Sequence, residues 1–394
     1  MTQRALVAGG GIGGLAAALA CARAGWEVRL YERAAAFAEA GAGIQLGPNV
    51  VRVLHEWGLA DALDAVAAQP SRLQVRSAMT GRELGVLPLG PVFAQRYGAP
   101  YLTIHRSDLH AVLLGAVRAQ AGVALHTGRS VQGLSRDDHA VTLRFENGVP
   151  VEGDLLVGAD GLWSGVRQSL LADGPPRPTG HLAYRTLARQ GSLPAHFQSH
   201  QITVWLGPRL HVVQYPVQRG EGLNVVVIFH GSHAQPGALA QGWDHEAQIS
   251  GLRQALSGTC TPLQNLIHAM GEWRLWALHD RAPMQGADAQ AQGRVALLGD
   301  AAHPMRPYLA QGAGMAIEDA AELGRALAMT DIEVPLRLRR YALNRWQRNA
   351  RVQRRALRNG NIFHASGPVR WGRDVMLRLL GERLLDVPWL YRGG

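Results

Sequence analysis

Residues Val7–Ala20 read VAGGGIGGLAAALA, and the residue types on either side of these glycines settle the architecture. An apolar run from Ala5 to Ala8 leads into them, an Ala- and Leu-rich stretch to Ala24 leaves them, and Glu27 to Tyr31 follows. That order predicts strand, tight turn, helix and strand, a βαβ unit. Gly9 permits the turn, Gly11 lets backbone approach a pyrophosphate, and Gly14 lets helix and strand pack closely, with Gly13 in the same cofactor-facing turn. Glu32, followed by Arg33, stands eighteen residues beyond Gly14 at the end of the second strand. A carboxylate there can accept both ribose hydroxyl hydrogens of an adenosine. A dinucleotide site is therefore expected, and at this point NAD and FAD serve equally well.

The chain of 394 residues is 47% hydrophobic, enough for one large core or two smaller ones, so a two-domain enzyme is expected. Its net charge of +10 comes from 40 basic residues, all of them Arg. The densest basic stretch, Arg337 to Arg358, lies on a predicted helix without the aromatic interleaving of a base-stacking surface. It reads as a solvated, partly ion-paired helix, and no nucleic-acid partner is expected. The basic balance would still concentrate anionic substrates. Cys21 and Cys260 are the two cysteines and have neither disulfide-scaffold nor zinc spacing, which favours the cytoplasm. The apolar segment Ala5 to Ala22 is centred on glycines, unlike a targeting helix, and no segment reads as a membrane span. The 16 His residues are scattered without HExxH spacing, so no metal is expected.

Farther along, alternating segments from about Ser71 to Leu89 and from about His181 to Trp276 predict an antiparallel sheet. Ser107 to Ala121 has a helical pattern, Asp154 to Val157 and Arg294 to Leu298 read as strands returning to the first domain, and Met315 to Met329 as a helix. The chain from Asp331 reads as helical, with breaks near Gly360, Gly367 and Gly381. The expected division is a cofactor domain over 1–70, 101–180 and 281–330, a substrate sheet over 71–100 and 181–280, and a helical region over 331–394. No internal repeat is visible.

The choice between NAD and FAD falls at the third strand, which ends in GDAAHPMRPYLAQGAGMAIEDA (Gly299 to Ala320). This stretch resembles the GD motif of flavoprotein aromatic hydroxylases, in which the aspartate, here Asp300, binds a ribityl hydroxyl of FAD. GADGLWSGVR (Gly158 to Arg167) resembles the DG motif of the same family, placing Asp160 near the pyrophosphate and the nicotinamide donor. With the glycine loop, these motifs occur in family order from the N-terminus to about Met329. Further segments, GAGIQLGPNVVRVL (Gly41 to Leu54), TIHRSDLHAVL (Thr103 to Leu113) and HVVQYPV (His211 to Val217), are similar to the branch holding salicylate 1-hydroxylase, 3-hydroxybenzoate 6-hydroxylase and 6-hydroxynicotinate 3-monooxygenase. The resemblance implies an α/β fold: a Rossmann-like FAD domain (p-hydroxybenzoate hydroxylase-like), an antiparallel-sheet substrate domain and C-terminal helices. It also implies that Arg106 contacts the FAD diphosphate or ribityl region and that Gln45 lies along the cofactor. On the residues alone, Ser107 or Asp108 could simply cap the helix that follows Arg106.

Gly312, Ala313 and Gly314 precede a predicted helix, so their amides and the positive helix end can face the flavin N1 and C2 carbonyl, where reduced flavin carries negative charge. By the resemblance, the Pro307 carbonyl accepts from a substrate hydroxyl. His211 and Tyr215, four apart in an alternating strand, share one sheet face. The resemblance makes that face the roof of the substrate pocket, with His211 deprotonating or hydrogen-bonding a phenol and Tyr215 orienting it. A His of near-neutral pKa suits that task, although a strand His is also often structural. The implied reaction is NAD(P)H- and O2-dependent hydroxylation of a small hydroxylated aromatic acid through a flavin C4a-hydroperoxide, by a monomer or homodimer. NADH or NADPH would bind transiently. Where 3-hydroxybenzoate 6-hydroxylases can carry glutamine, this chain has Pro307, and where 6-hydroxynicotinate monooxygenases carry histidines it has Tyr308 and Gln45. A heteroaromatic hydroxylase and a non-catalytic flavin redox sensor are the rival readings; the WxWxIP segment of a halogenase is missing, since Trp273 and Trp276 do not supply it.

Overall fold

The computed structural model describes residues 2–38, 41–231, 245–246 and 249–393. Among these, a six-stranded sheet runs in the order Ala291–Gln292, Val295–Leu297, Leu155–Gly158, Arg4–Ala8, Glu27–Tyr31 and Val123–His126. Its pairs are parallel except the first. The Arg4–Ala8 strand is central, and its period of two divides the core. Ala5 and Val7 pack with the Ile12–Arg23, Arg106–Arg118 and Gly312–Leu327 helices, whereas Leu6 and Ala8 pack with Val141 and Leu143 on the other face. Val141 and Leu143 belong to a separate antiparallel sheet of Val131–Arg136, Val141–Phe145 and Val151–Gly153, which the sequence reading left unassigned. This doubly covered parallel sheet is the Rossmann-like half of the expected α/β fold.

The second sheet has eight strands, ordered His245–Glu246, Arg274–Asp280, Arg177–Arg189, Gly222–His230, Leu210–Val217, Ile202–Gly207, Arg72–Ser77 and Glu83–Pro88. It is antiparallel apart from the parallel pairing of Ile202–Gly207 with Arg72–Ser77. The span expected to be sheet throughout, 181–280, also contains two helices, Ile249–Leu256 and Thr261–Ala269. Leu252, Leu256, Leu263, Leu266 and Ile267 recur at helical spacing and bury against Val212, Val225 and Val227 on the back of the sheet. Residues 232–244 and 247–248 of that span lie outside the described residues.

The C-terminal region is helical, with two corrections. The break expected near Gly360 is absent: the helix runs unbroken over Val334–Phe363. Gly360 is there for space, because a Cβ would stand 2.8 Å from the Tyr308 ring. Nor is the Arg-rich helix merely solvated, since Arg337 and Arg345 are buried. Arg345 donates to Asp319 at 2.8 Å and to Glu318 at 2.9 Å, and Arg348 chelates Glu318 at 2.6 and 2.7 Å. The chain then turns through His364 into the Gly367–Leu385 helix, whose backbone is kinked at Gly381. Among the described residues no helix is long and apolar enough to cross a membrane.

Candidate active site

A cavity of about 600 Å³ opens between the two sheets. The glycine turn forms one end. Gly9 has φ +104°, and a Cβ on it would lie 2.4 Å from the Ala159 carbonyl oxygen; one on Gly14 would lie 1.9 Å from the Gly9 carbonyl oxygen. Both positions therefore exclude any side chain, and the second carries the helix packing ascribed to it. Gly9, Gly11 and Gly13 line the cavity, whereas Gly14 is spent on packing. Glu32 and Arg33 stand at the same end. The Glu32 carboxylate accepts from the Gly10 amide at 2.6 Å and the Ala34 amide at 2.8 Å, which fixes it beside the turn and leaves each oxygen a second lone pair.

Asp160 also lines the cavity, and its carboxylate shapes the loop it sits in, accepting from Ser164 Oγ at 2.5 Å and from the Val166 amide at 3.1 Å. Burial pushes its pKa up. Gln45, Arg106 and Asp300 also line the cavity. The GD turn is braced from behind by fully buried Asp319, which accepts from the Gly299 amide at 3.3 Å and pairs with His303 Nε2 at 2.5 Å. Burial alone would raise the Asp319 pKa, but His303 and Arg345 overrule it and hold it low.

The Gly312–Leu327 helix begins three residues before the expected start, so Gly312, Ala313 and Gly314 form its first turn. Their amides are among those a helix leaves without internal acceptors. Gly312 and Ala313 line the cavity; Gly314 does not, because it packs where a Cβ would meet Val50 at 2.8 Å. Two helix N-termini, at Gly11 and Gln311, neither closed by a capping side chain, thus open onto one space. With glycines where backbone must come close, this arrangement fits the pyrophosphate and the ring of FAD.

The roof is the Leu210–Val217 strand. His211, Val213 and Tyr215 point into the cavity, opposite Ile228, Val226 and Asn224 on the neighbouring strand. Tyr215 donates its hydroxyl hydrogen to the Gly43 carbonyl at 2.6 Å, while the Gly43 amide donates to Asn224 Oδ1 at 2.7 Å. These bonds clamp the Gly43–Leu46 strand to the substrate sheet. His211 is 1% exposed, and its Nδ1 shares a 2.8 Å hydrogen bond with Nε2 of His364. Burial, then the neighbouring His364 and His181 rings, hold its pKa well below the ordinary value, so the near-neutral value expected of a base is corrected downward. Pro307 lines the wall, with its carbonyl accepting a long 3.4 Å bond from the Ala310 amide.

Two residues of the site escaped the sequence reading. Arg185 lines the cavity on the same sheet face, opposite Val226, with its guanidinium 4.8 Å from the Trp276 ring centre and its Nε buried without a hydrogen-bond partner among the described residues. Its signal was present, a charge at an inward position of an alternating strand with Ala183 and Leu187 on either side. His364 gave none, since it follows a long polar helix far away in sequence.

An FAD cradle joined to a pocket roofed by an imidazole and a guanidinium defines a flavin-dependent enzyme acting on a small molecule. The chain belongs to the FAD binding domain family, whose model matches residues 2–356, and it is an FAD-dependent aromatic-ring monooxygenase. It is 38% identical to a 3-hydroxybenzoate 6-hydroxylase of Polaromonas naphthalenivorans, over 98% of this chain and 95% of that protein. It is 37% identical to a 6-hydroxynicotinate 3-monooxygenase of Bordetella bronchiseptica, over 89% and 90%. Among solved structures it is similar to Klebsiella pneumoniae HpxO complexed with FAD and uric acid, with a TM-score of 0.85, 28% identity and coverage of 97% and 95%. A salicylate hydroxylase substrate complex has a TM-score of 0.83, 26% identity and coverage of 100% and 96%.

Proposed function

We propose that the protein hydroxylates a small hydroxylated aromatic acid of the salicylate or 3-hydroxybenzoate type, with NADH or NADPH as a transient electron donor and O2 as co-substrate. The observation that carries this reading is the roof of the cavity, where His211 and Arg185 share one sheet face. Bound FAD supplies the reduction of O2 and the transfer of one oxygen atom to the ring. The protein's own groups hold and activate the acid. Arg185 pairs with the carboxylate, which satisfies a guanidinium that burial otherwise disfavours. His211 takes the phenol proton at Nε2, because Nδ1 is engaged by His364; the phenolate is the more electron-rich ring. The Pro307 carbonyl supplies a second acceptor near the same hydroxyl. Tyr215 contributes its ring and an oxygen lone pair, its hydrogen being held by Gly43. Val213, Val226, Ile228 and Met305 keep the space apolar and exclude water.

The cofactor roles follow the same reading. Gly9, Gly11, Gly13 and Arg106 meet the diphosphate, Glu32 and Arg33 the adenosine, Asp300 the ribityl chain, Gln45 and Asp160 the length of the cofactor, and Gly312 and Ala313 the ring. It divides the chain into a cofactor domain (1–70, 101–180, 281–330), a substrate sheet (71–100, 181–280) and a C-terminal region (331–394). It places a monomer or homodimer in the cytoplasm.

Purified holoenzyme tests the proposal, with NADH and NADPH consumption, hydroxylated product and peroxide measured over salicylate, 3-hydroxybenzoate, 4-hydroxybenzoate and 6-hydroxynicotinate. The expected result is coupled product formation with a benzoate; hydride consumption indifferent to every acid overturns it. Product from 6-hydroxynicotinate alone moves the assignment to a heteroaromatic acid.

A further inference from the structure

His211 cannot keep the proton it takes. It is buried, and among the described residues no carboxylate pairs with it: Tyr308 and Phe363 pack on the ring, and His364 and His181 lie nearby. His364 is no better a resting place. Burial and the nearby cations of Arg306 and Arg373, with His181 and His230, hold its pKa at about 3, and Asp280 is already paired with Arg306 at 2.6 Å. The two rings are nevertheless joined, Nδ1 to Nε2, at 2.8 Å. The ring centres of His364 and His181 are 5.3 Å apart, and those of His181 and exposed His230 5.1 Å. His364 itself is only half-buried, so part of the residue meets solvent, and no hydrogen bond to its Nδ1 is present among the described residues.

We propose that His364 is a positioning residue that passes the phenol proton from His211 to solvent by a paired tautomer exchange. The inference rests on the hydroxylase reading above. The substrate O–H bond breaks and its hydrogen joins His211 Nε2. The hydrogen on His211 Nδ1 moves to His364 Nε2, and the hydrogen on His364 Nδ1 leaves to water. Both rings stay neutral at the end, so neither stores the proton's charge and the pocket gains the phenolate alone, and the reverse sequence restores the rings when product is released. The C-terminal segment is built to hold this ring: the Arg209 amide donates to the His364 carbonyl at 3.0 Å, and buried Arg373 donates to the carbonyls of Ile362 and Phe363 at 3.1 and 2.7 Å. Those bonds close the C-terminal end of the Val334–Phe363 helix beside the strand that carries His211.

The test uses FAD-loaded wild type, His364→Gln and His364→Ala with salicylate and 3-hydroxybenzoate, flavin absorbance reporting an intact fold. At neutral pH both variants should lose kcat by about 10- to 100-fold, within the range of a proton-transfer contribution, with KM changed less than about threefold. The loss should shrink as pH rises toward the phenol's own pKa, and free imidazole should restore part of the His364→Ala rate. A wild-type pH profile in the variants, or an equal loss at every pH without imidazole rescue, overturns the relay. Should both variants fail to fold, a proton inventory of wild-type substrate ionisation decides: curvature from more than one moving proton supports the relay, a straight line refutes it. A wild type inactive on every acid instead overturns the hydroxylase reading itself.

Discussion

At residue scale the site turns on two side chains held where water would serve them better. His211 gives up solvation for a position over the cavity, and Arg185 does the same on the next strand but one. His211→Asn should lower kcat on the order of 100-fold at neutral pH and recover in alkaline buffer, where the phenol ionises unaided; initial rates across pH check this. Replacing Arg185 by Gln removes a charge-assisted contact to the carboxylate. KM for the acid should rise about 10- to 100-fold while NADH oxidation without substrate stays near the wild-type rate. An unchanged KM would move Arg185 from substrate to cofactor.

At the scale of elements, the Val334–Phe363 helix braces the cofactor side of the site. Asp319 reaches His303 and the Gly299 amide from the Gly312–Leu327 helix, and Arg345 and Asn349 hold its other oxygen from the C-terminal helix. Asp319→Asn leaves Arg345 undercompensated in a buried site and should cost about 3 kcal/mol in a denaturation experiment. Because Asp300 lies one residue from Gly299, retention of FAD through gel filtration should fall as well. Gly360→Ala tests the other contact of this helix. The new methyl would press on Tyr308, costing about 1–3 kcal/mol by overpacking, although alanine is the better helix former.

For the molecule as a whole, the buried histidines set a pH dependence of stability. His364 and His181 have folded pKa values of about 3 and 4, both pushed down first by burial, against about 6.5 in the unfolded chain. Below about pH 6.5 the unfolded chain binds protons that the fold refuses, so stability falls as pH drops from 6.5 toward 4, by up to about 1.4 kcal/mol per pH unit for each such group. Above pH 6.5 these groups leave stability unchanged. Thermal melts of holoenzyme between pH 7.5 and 5 should show the decline, and His364→Gln should flatten it. Stripping FAD should lower Tm at every pH, because ligand binding to the native state alone stabilises it.

The glycine loop, Glu32 and the GD and DG stretches made the cofactor half of this protein legible in the sequence, because contacts with a dinucleotide demand particular residues at particular spacings over a short run of chain. The inward alternation of His211, Val213 and Tyr215 was legible for a similar reason, since strand geometry fixes the face from spacing alone. What spacing does not encode is the partner on another element. Only the folded chain set His364 against His211 across 153 residues, engaged the Tyr215 hydroxyl at Gly43, and kept the helix running through Gly360 against Tyr308. Those outcomes depend on burial and on which polar groups find partners there. Burial is also why the base in the pocket has a depressed pKa rather than the near-neutral one an isolated histidine would have.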